Sequence, residues 1–131
     1  MDIVGTHHVA IKTANFAAMR AFYTETLGLK YVGGFPGRNT IFLSLGDTTI
    51  ELIEAEGTLA APSLGLHHLA IEVADTDAAH AELVQKGVAF HVPPKFFPPE
   101  SPQTRLAFFK DPDGNELELF QPIGGRYPQQ G

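Results

Sequence analysis

The chain has no cysteine, no tryptophan, no cluster of basic residues and no long apolar run. Each absence closes off a class of chemistry. Without cysteine there is no disulfide, no thiolate metal ligand and no thiol nucleophile, and the composition fits a reducing compartment. Nine Lys and Arg against fifteen Asp and Glu leave a formal charge of −6. Phosphate binding needs grouped cations, so nucleic acid is not an expected partner. The apolar stretches fall well short of the roughly 20 residues that span a bilayer, so no membrane partner is expected either. Met1-Asp2-Ile3-Val4-Gly5 carries neither the basic start nor the apolar run of a secretory signal, and a cytoplasmic location follows as an expectation. What is present is ordinary for a globular protein. Of 131 residues, 44% are hydrophobic and 18% charged, and ten Phe are available for a core.

The stretch His7-His8-Val9-Ala10-Ile11-Lys12-Thr13 recurs as His67-His68-Leu69-Ala70-Ile71-Glu72-Val73. Both copies read as strands whose alternate residues take opposite faces. Val9 and Ile11, like Leu69 and Ile71, make the apolar face. His8 and Ala10, like His68 and Ala70, make the other. The surrounding order repeats too. In the first unit, a strand over 7–13 leads to a helix over 16–27 with Asn15 as N-cap and Gly28 as its stop. Strands over 29–33, 40–45 and 48–54 follow, the last two joined by the Gly46-Asp47 turn. In the second unit, a strand over 66–73 leads to a helix over 77–86, capped by Asp75 and stopped by Gly87. Strands over 88–92, 103–110 and 116–121 follow. Pro93, Pro94, Pro98 and Pro99 make 93–99 a loop, because proline cannot sit in a central strand. Asp111-Pro112-Asp113-Gly114 is a turn, and the tail from Gly124 on is expected to be loose.

Each half thus reads β-α-β-β-β, an internal duplication with modules at about 5–56 and 65–123 and a linker at 57–64. The fold class is α+β. Two such units, each with one helix-covered sheet face and one open face, would form a cupped sheet or half-barrel around a cavity.

The last strand of each half holds a glutamate between apolar neighbours, Glu51 between Ile50 and Leu52, and Glu118 between Leu117 and Leu119. Parity turns both carboxylates toward the face that carries His8 and His68. A carboxylate is costly to bury alone, and a cation compensates it. Four such residues at equivalent positions of two repeats form a His2Glu2 metal set of His8, Glu51, His68 and Glu118. Imidazole with carboxylate suits Zn, Ni, Co, Mn or Fe(II). Parity places His7 and His67 on the apolar side as structural residues. His80 reads as a helix-surface residue, and His91 as a second-rank candidate for the cavity wall.

His8-Val9-Ala10-Ile11, Phe22-Tyr23-Thr24-Glu25-Thr26-Leu27-Gly28-Leu29, His68-Leu69-Ala70-Ile71 and the run from Lys110 to Leu119 together resemble the vicinal oxygen chelate superfamily. That superfamily includes glyoxalase I, methylmalonyl-CoA epimerase, bleomycin-binding and fosfomycin-resistance proteins and extradiol dioxygenases. The resemblance covers nearly the whole chain, from His7 to about Pro122. It implies paired β-α-β-β-β modules around a divalent metal, commonly in a homodimer, with the metal positions on His8, Glu51, His68 and Glu118. It further implies a lyase or isomerase acting on a small substrate. Neighbouring oxygens of that substrate would chelate the metal, and an enediolate-like intermediate would form. Glu118 is the implied catalytic base and Glu51 the opposing candidate. Lys12 and Ala55 stand where glyoxalase I has an arginine and an asparagine for glutathione, which weighs against glutathione. The strand over 40–45 lacks the acid-base glutamate of the epimerase. Acyl-CoA epimerisation, ring cleavage and drug binding by a resistance protein stay open as alternatives. Phe42, Phe96, Phe97, Phe108 and Phe109 are candidate apolar walls, and Arg38 and Arg105 candidate contacts for an anionic group.

Overall fold

The computed structural model describes residues 1–26, 28–56, 65–110, 112 and 114–131. Its first half runs β1 (Ile3–Thr13), α1 (Phe16–Ala21), β2 (Tyr31–Gly34), β3 (Thr40–Leu45) and β4 (Thr48–Glu54). The second runs β5 (Gly65–Val73), α2 (Thr76–Gln85), β6 (Phe90–Phe97), β7 (Thr104–Lys110) and β8 (Glu116–Pro122). The eight strands form one open, mixed sheet in the order β2-β3-β4-β1-β5-β8-β7-β6, an α+β architecture. Within each half the first and last strands pair in parallel, β1 with β4 and β5 with β8. The halves join through the antiparallel pair β1–β5.

The outer face of each half is closed by its own helix. Phe16, Ile41, Leu43 and Leu52 form one core, with Ile11 and Met19 packed on it. Val73, Ala79, Ala107, Phe109 and Leu119 form the other, with Leu83 packed on it. The inner face carries a third cluster of Phe35, Phe42, Ala70 and Phe120. The sheet curls far enough for the ends of its strand order to meet. Phe35, just past β2, packs edge-on against Phe97 at the end of β6, with ring centroids 5.1 Å apart. Arg38 reaches Glu100 across the same gap at 2.7 Å. The result is a cup rather than a closed barrel.

Several expectations need correction. Asn15 precedes α1, but its side chain makes no capping bond; its backbone N–H donates to Thr13 Oγ1 instead. Asp75 does cap α2, accepting from the Ala78 N–H at 3.1 Å. Helix α1 gives way after Ala21 to a wider π-type turn over Phe22–Thr26; the expected last residue, Leu27, lies outside the described residues. So do the linker at 57–64 and two residues of the expected turn, Asp111 and Asp113. Strand β6 runs through Pro93 and Pro94, which the proline rule assigns to a loop. It is an edge strand, and its pairing with β7 slips between Val92 and Lys95, so the missing N–H groups disturb no inner ladder.

The tail is not loose. The Gly34 N–H donates to the Pro128 carbonyl at 2.8 Å, Tyr31 donates to Gln130 Oε1 at 2.7 Å, and Gln130 Nε2 donates to the carbonyls of Phe35 and Arg38. Residues 124–131 form a strap across the first half. Close approach requires glycine beneath it, since a Cβ on Gly33 would lie 2.2 Å from the Pro128 carbonyl oxygen.

Candidate metal centre

Four strands deliver the four candidate ligands. Along the inner face, Ala10 pairs laterally with Glu51 on β4 and with His68 on β5. Ala70 pairs with Glu118 on β8 and with His8 on β1. Both alanines are fully buried. A methyl group at each crossing leaves room for the longer side chains on either side to converge above it. The Nε2 atoms of His8 and His68 lie 3.0 Å apart. Glu51 Oε1 is 3.2 Å from His8 Nε2 and 3.4 Å from His68 Nε2. Glu118 Oε1 is 3.1 Å from each. All four residues the sequence singled out therefore meet within one chain.

The neighbouring histidines sit elsewhere than parity predicts. Thr6 faces Ile71 and His8 faces Ala70, so β1 spends two residues where β5 spends one. Ala10 faces His68 and Ile11 faces Leu66, so β5 carries the extra residue in turn. These two β-bulges fall on His7 and His67. A bulge breaks strict alternation and re-aims a side chain. His7 is accordingly inside, stacked on Phe120 at 4.0 Å and edge-on to Phe42. Its Nδ1 is 2.7 Å from His8 Nδ1, and its Nε2 is 2.7 Å from the Arg126 carbonyl. His67 Nδ1 is 2.8 Å from His68 Nδ1, and its ring lines the cavity. The available signal was the tandem His-His itself, which breaks alternation at the same point of both repeats.

The cavity, about 220 Å³, has Glu51, His68 and Glu118 at its floor and Phe35, Ile53, Phe97, Leu106 and Phe108 among its walls. Arg38 and Thr40 stand at its edge and also line an adjoining outer groove with Lys12, Glu54 and Glu56. Of the other candidate walls, Phe42 is buried in the inner cluster, and Phe109 belongs to the core under α2. Phe96 is exposed beneath Arg105, which pairs with Asp77 outside the cavity. His91 pairs with Glu116, and His80 packs edge-on against Phe90. Glu72 pairs with Arg126 of the strap at 2.8 Å.

Burial opposes charge on His8, yet Glu51 and Glu118 outweigh it and hold the ring above its ordinary value. Burial opposes charge on His68 too, and the adjacent Glu118 and Glu51 carboxylates lift it to about 10. Burial alone would raise both carboxyl groups, but the two imidazoles draw Glu51 and Glu118 below the usual carboxylate range. His7 is lowered to about 4, first by burial and then by the charge of His8. His67 is lowered by burial and by His68.

The donor set fits a divalent cation. Glu51 Oε1 and Glu118 Oε1 are buried beside the two imidazoles but, among the described residues, make no well-directed hydrogen bond, and a poorly satisfied buried acceptor is costly. The ligand atoms of His8, His68 and Glu118 all lie within 4.8 Å of one another, with Glu51 against both rings. Two nitrogens and two oxygens in a dry site suit a borderline first-row ion.

A family profile described as Glyoxalase/Bleomycin resistance protein/Dioxygenase superfamily matches residues 5–119. The uncharacterized protein YaeR of Escherichia coli (strain K12) is 32% identical over 133 aligned positions, covering 88% of this chain and 94% of that protein. The ethylmalonyl-CoA/methylmalonyl-CoA epimerase of Cereibacter sphaeroides is 36% identical over 95 positions, 62% of this chain and 69% of its own length. The solved methylmalonyl-CoA epimerase of Mycobacterium tuberculosis superposes with a TM-score of 0.75 at 24% identity, covering 92% of this chain and 89% of its own, and so shares the fold. Among the described residues no helix is long and apolar enough to cross a membrane.

Proposed function

The chain belongs to the Glyoxalase/Bleomycin resistance protein/Dioxygenase superfamily, and from that premise we propose that it is a metal-dependent isomerase or lyase that moves a proton beside a carbonyl group of a small substrate. The observation that carries this reading is the meeting of His8, Glu51, His68 and Glu118 beside one cavity. A divalent cation bound there would supply Lewis acidity toward neighbouring oxygens of the substrate. The chain's own residues do the remainder. Phe35, Phe97, Leu106 and Phe108 keep water from the reacting carbon. Arg38 at the edge, paired with the exposed Glu100 in the free chain, would meet a negative group of the substrate. Glu118 and Glu51 are both ionised, but their lowered values make each a weak base, so either could take a proton only from a substrate C–H acidified by a bound cation. They enter from opposite halves, so one can take a proton from the substrate carbon and the other can return one.

Acyl-CoA epimerisation is the second reading. It is supported by the similarity to the Cereibacter sphaeroides epimerase. It is supported also by the outer groove, about 780 Å³, that continues from Arg38 and Thr40 past Lys12 and has space for a carrier too long for the cavity. A metal-free drug-binding role has less support, because it gives no use to two buried carboxylates converging on two imidazoles beside the cavity.

Protein loaded with Co2+, Ni2+ or Zn2+ should be assayed for hemithioacetal isomerisation and for methylmalonyl-CoA epimerisation, each in D2O. Catalysed deuterium entry at the carbon beside the carbonyl is expected. Glu118→Gln and Glu51→Gln should each lower kcat by roughly 100-fold or more. Unchanged turnover in both variants, or no metal bound by elemental analysis, would remove the proposal.

A further inference from the structure

We propose that His7 is a positioning residue for the metal centre, and that the Arg126 carbonyl in the C-terminal strap fixes which nitrogen of His8 is free to bind a cation. This rests on the metal reading above and extends it to residues outside the ligand set.

A neutral imidazole carries one proton, so one ring nitrogen donates while the other accepts. Three contacts decide where the protons sit. The Arg126 carbonyl can only accept, and it lies 2.7 Å from His7 Nε2; His7 must therefore keep its proton there. That makes His7 Nδ1 a lone pair, 2.7 Å from His8 Nδ1. His8 must then keep a proton on Nδ1, so the proton it gives up to become a neutral ligand is the one on Nε2. Nε2 is the atom that faces Glu51, Glu118 and His68. Stacking on Phe120 and edge contacts from Phe42 hold the His7 ring in a dry setting that favours the neutral form.

The relay begins on a fixed base. Arg126 Nε donates to Glu72 at 2.8 Å and Nη2 to the Thr6 carbonyl at 3.1 Å, and Pro128 is held by the Gly34 N–H. The strap thereby reaches the metal centre through one backbone oxygen and one imidazole. The second half repeats the bulge and the Nδ1–Nδ1 contact at His67–His68, but the His67 ring is exposed toward the cavity and, among the described residues, no carbonyl anchors its Nε2. The two equivalent positions are therefore unequal: His7 sets a tautomer, and His67 does so less firmly. Partners of this kind commonly change metal affinity by about 10- to 100-fold.

The test uses the full chain and Co2+ alone as probe. Affinity is read by competition with a chelator, and coordination by the visible d–d absorption. His7→Phe keeps the stacking ring without an acceptor; it should lose Co2+ affinity by on the order of tenfold or more and alter the absorption. His7→Asn places an amide oxygen near the Nδ1 position and should recover most of the loss. His7→Gln sets its amide one bond farther out and should not. His67→Phe should lose less than His7→Phe. A folded His7→Phe that binds Co2+ as tightly as the unmodified chain, with the same spectrum, would overturn the inference and leave the metal reading standing. If His7→Phe does not fold, equal affinities for His7→Asn and His7→Gln would overturn it. No Co2+ uptake by the unmodified chain would end both.

Discussion

His68 would serve two occupants in turn, a proton and the proposed cation. In the metal-free chain its folded value, about 10, lies above its ordinary 6.5 because Glu118 and Glu51 favour the charged ring. A raised value means the proton binds more tightly in the folded state. Its contribution to stability is complete below pH 6.5 and is lost as pH climbs through about 10. Glu51 and Glu118 work in the opposite sense: their values are lowered, so their contribution is present above the ordinary 4.5 and fades as acid titrates them. Protein stripped by chelator should therefore lose Tm steadily between pH 7 and pH 10. A saturating divalent cation, which takes the proton's place on His68, should flatten that slope. Parallel Tm profiles with and without metal would show that the cation does not bind there. At this scale the sequence was half legible. His8, Glu51, His68 and Glu118 follow from alternation and repetition. His7 and His67 were legible only as a break in alternation at each tandem His-His; which way the bulge turns them is decided between the two strands.

At the scale of the element, β1 and β5 matter for what they leave out. Ala10 and Ala70 are the smallest residues that still hold β geometry at the two crossings beneath the ligands. Ala70→Leu should force the ring of His8 and the carboxylate of Glu118 apart. Overpacking a buried site costs about 1–3 kcal/mol, and Co2+ uptake should fail well before the fold does. Calorimetry and Co2+ titration on the same sample separate the two effects. A folded variant with undiminished affinity would show that the alanines are not the spacers. The elements themselves were largely readable: β3 and β4 span the expected residues, and Gly28 and Gly87 adopt the positive φ of helix stops. The proline-bearing end of β6 was not readable. Whether a strand lies at the edge depends on the order of the sheet, and that order is set by contacts distant in sequence.

Across the whole molecule, the strap ties the last residues to β2 and to the loop after it. Gly33→Ala would drive a methyl group into the Pro128 carbonyl. The variant should show a lower Tm and, through the displaced Arg126 carbonyl, weaker Co2+ binding. A change in Tm with unaltered affinity would break the link between strap and metal centre while leaving the strap's structural role intact. Nothing local announces the strap, since Gly124 to Gln130 carry no period and the bonds that hold them to the sheet, with Gly34, Tyr31, Glu72 and Gln103, are long-range. The duplication was visible because it is written twice, and the curl that joins Phe35 to Phe97 follows from it. The seam between β1 and β5 has a historical consequence as well. His8 lies opposite Ala70 and Ala10 opposite His68, so the pairing is the same read from either side. One half laid against a copy of itself in that register would already bring together two imidazoles and two carboxylates. An ancestor of half this length could have owned the whole centre as a twin, before fusion let the two sides diverge.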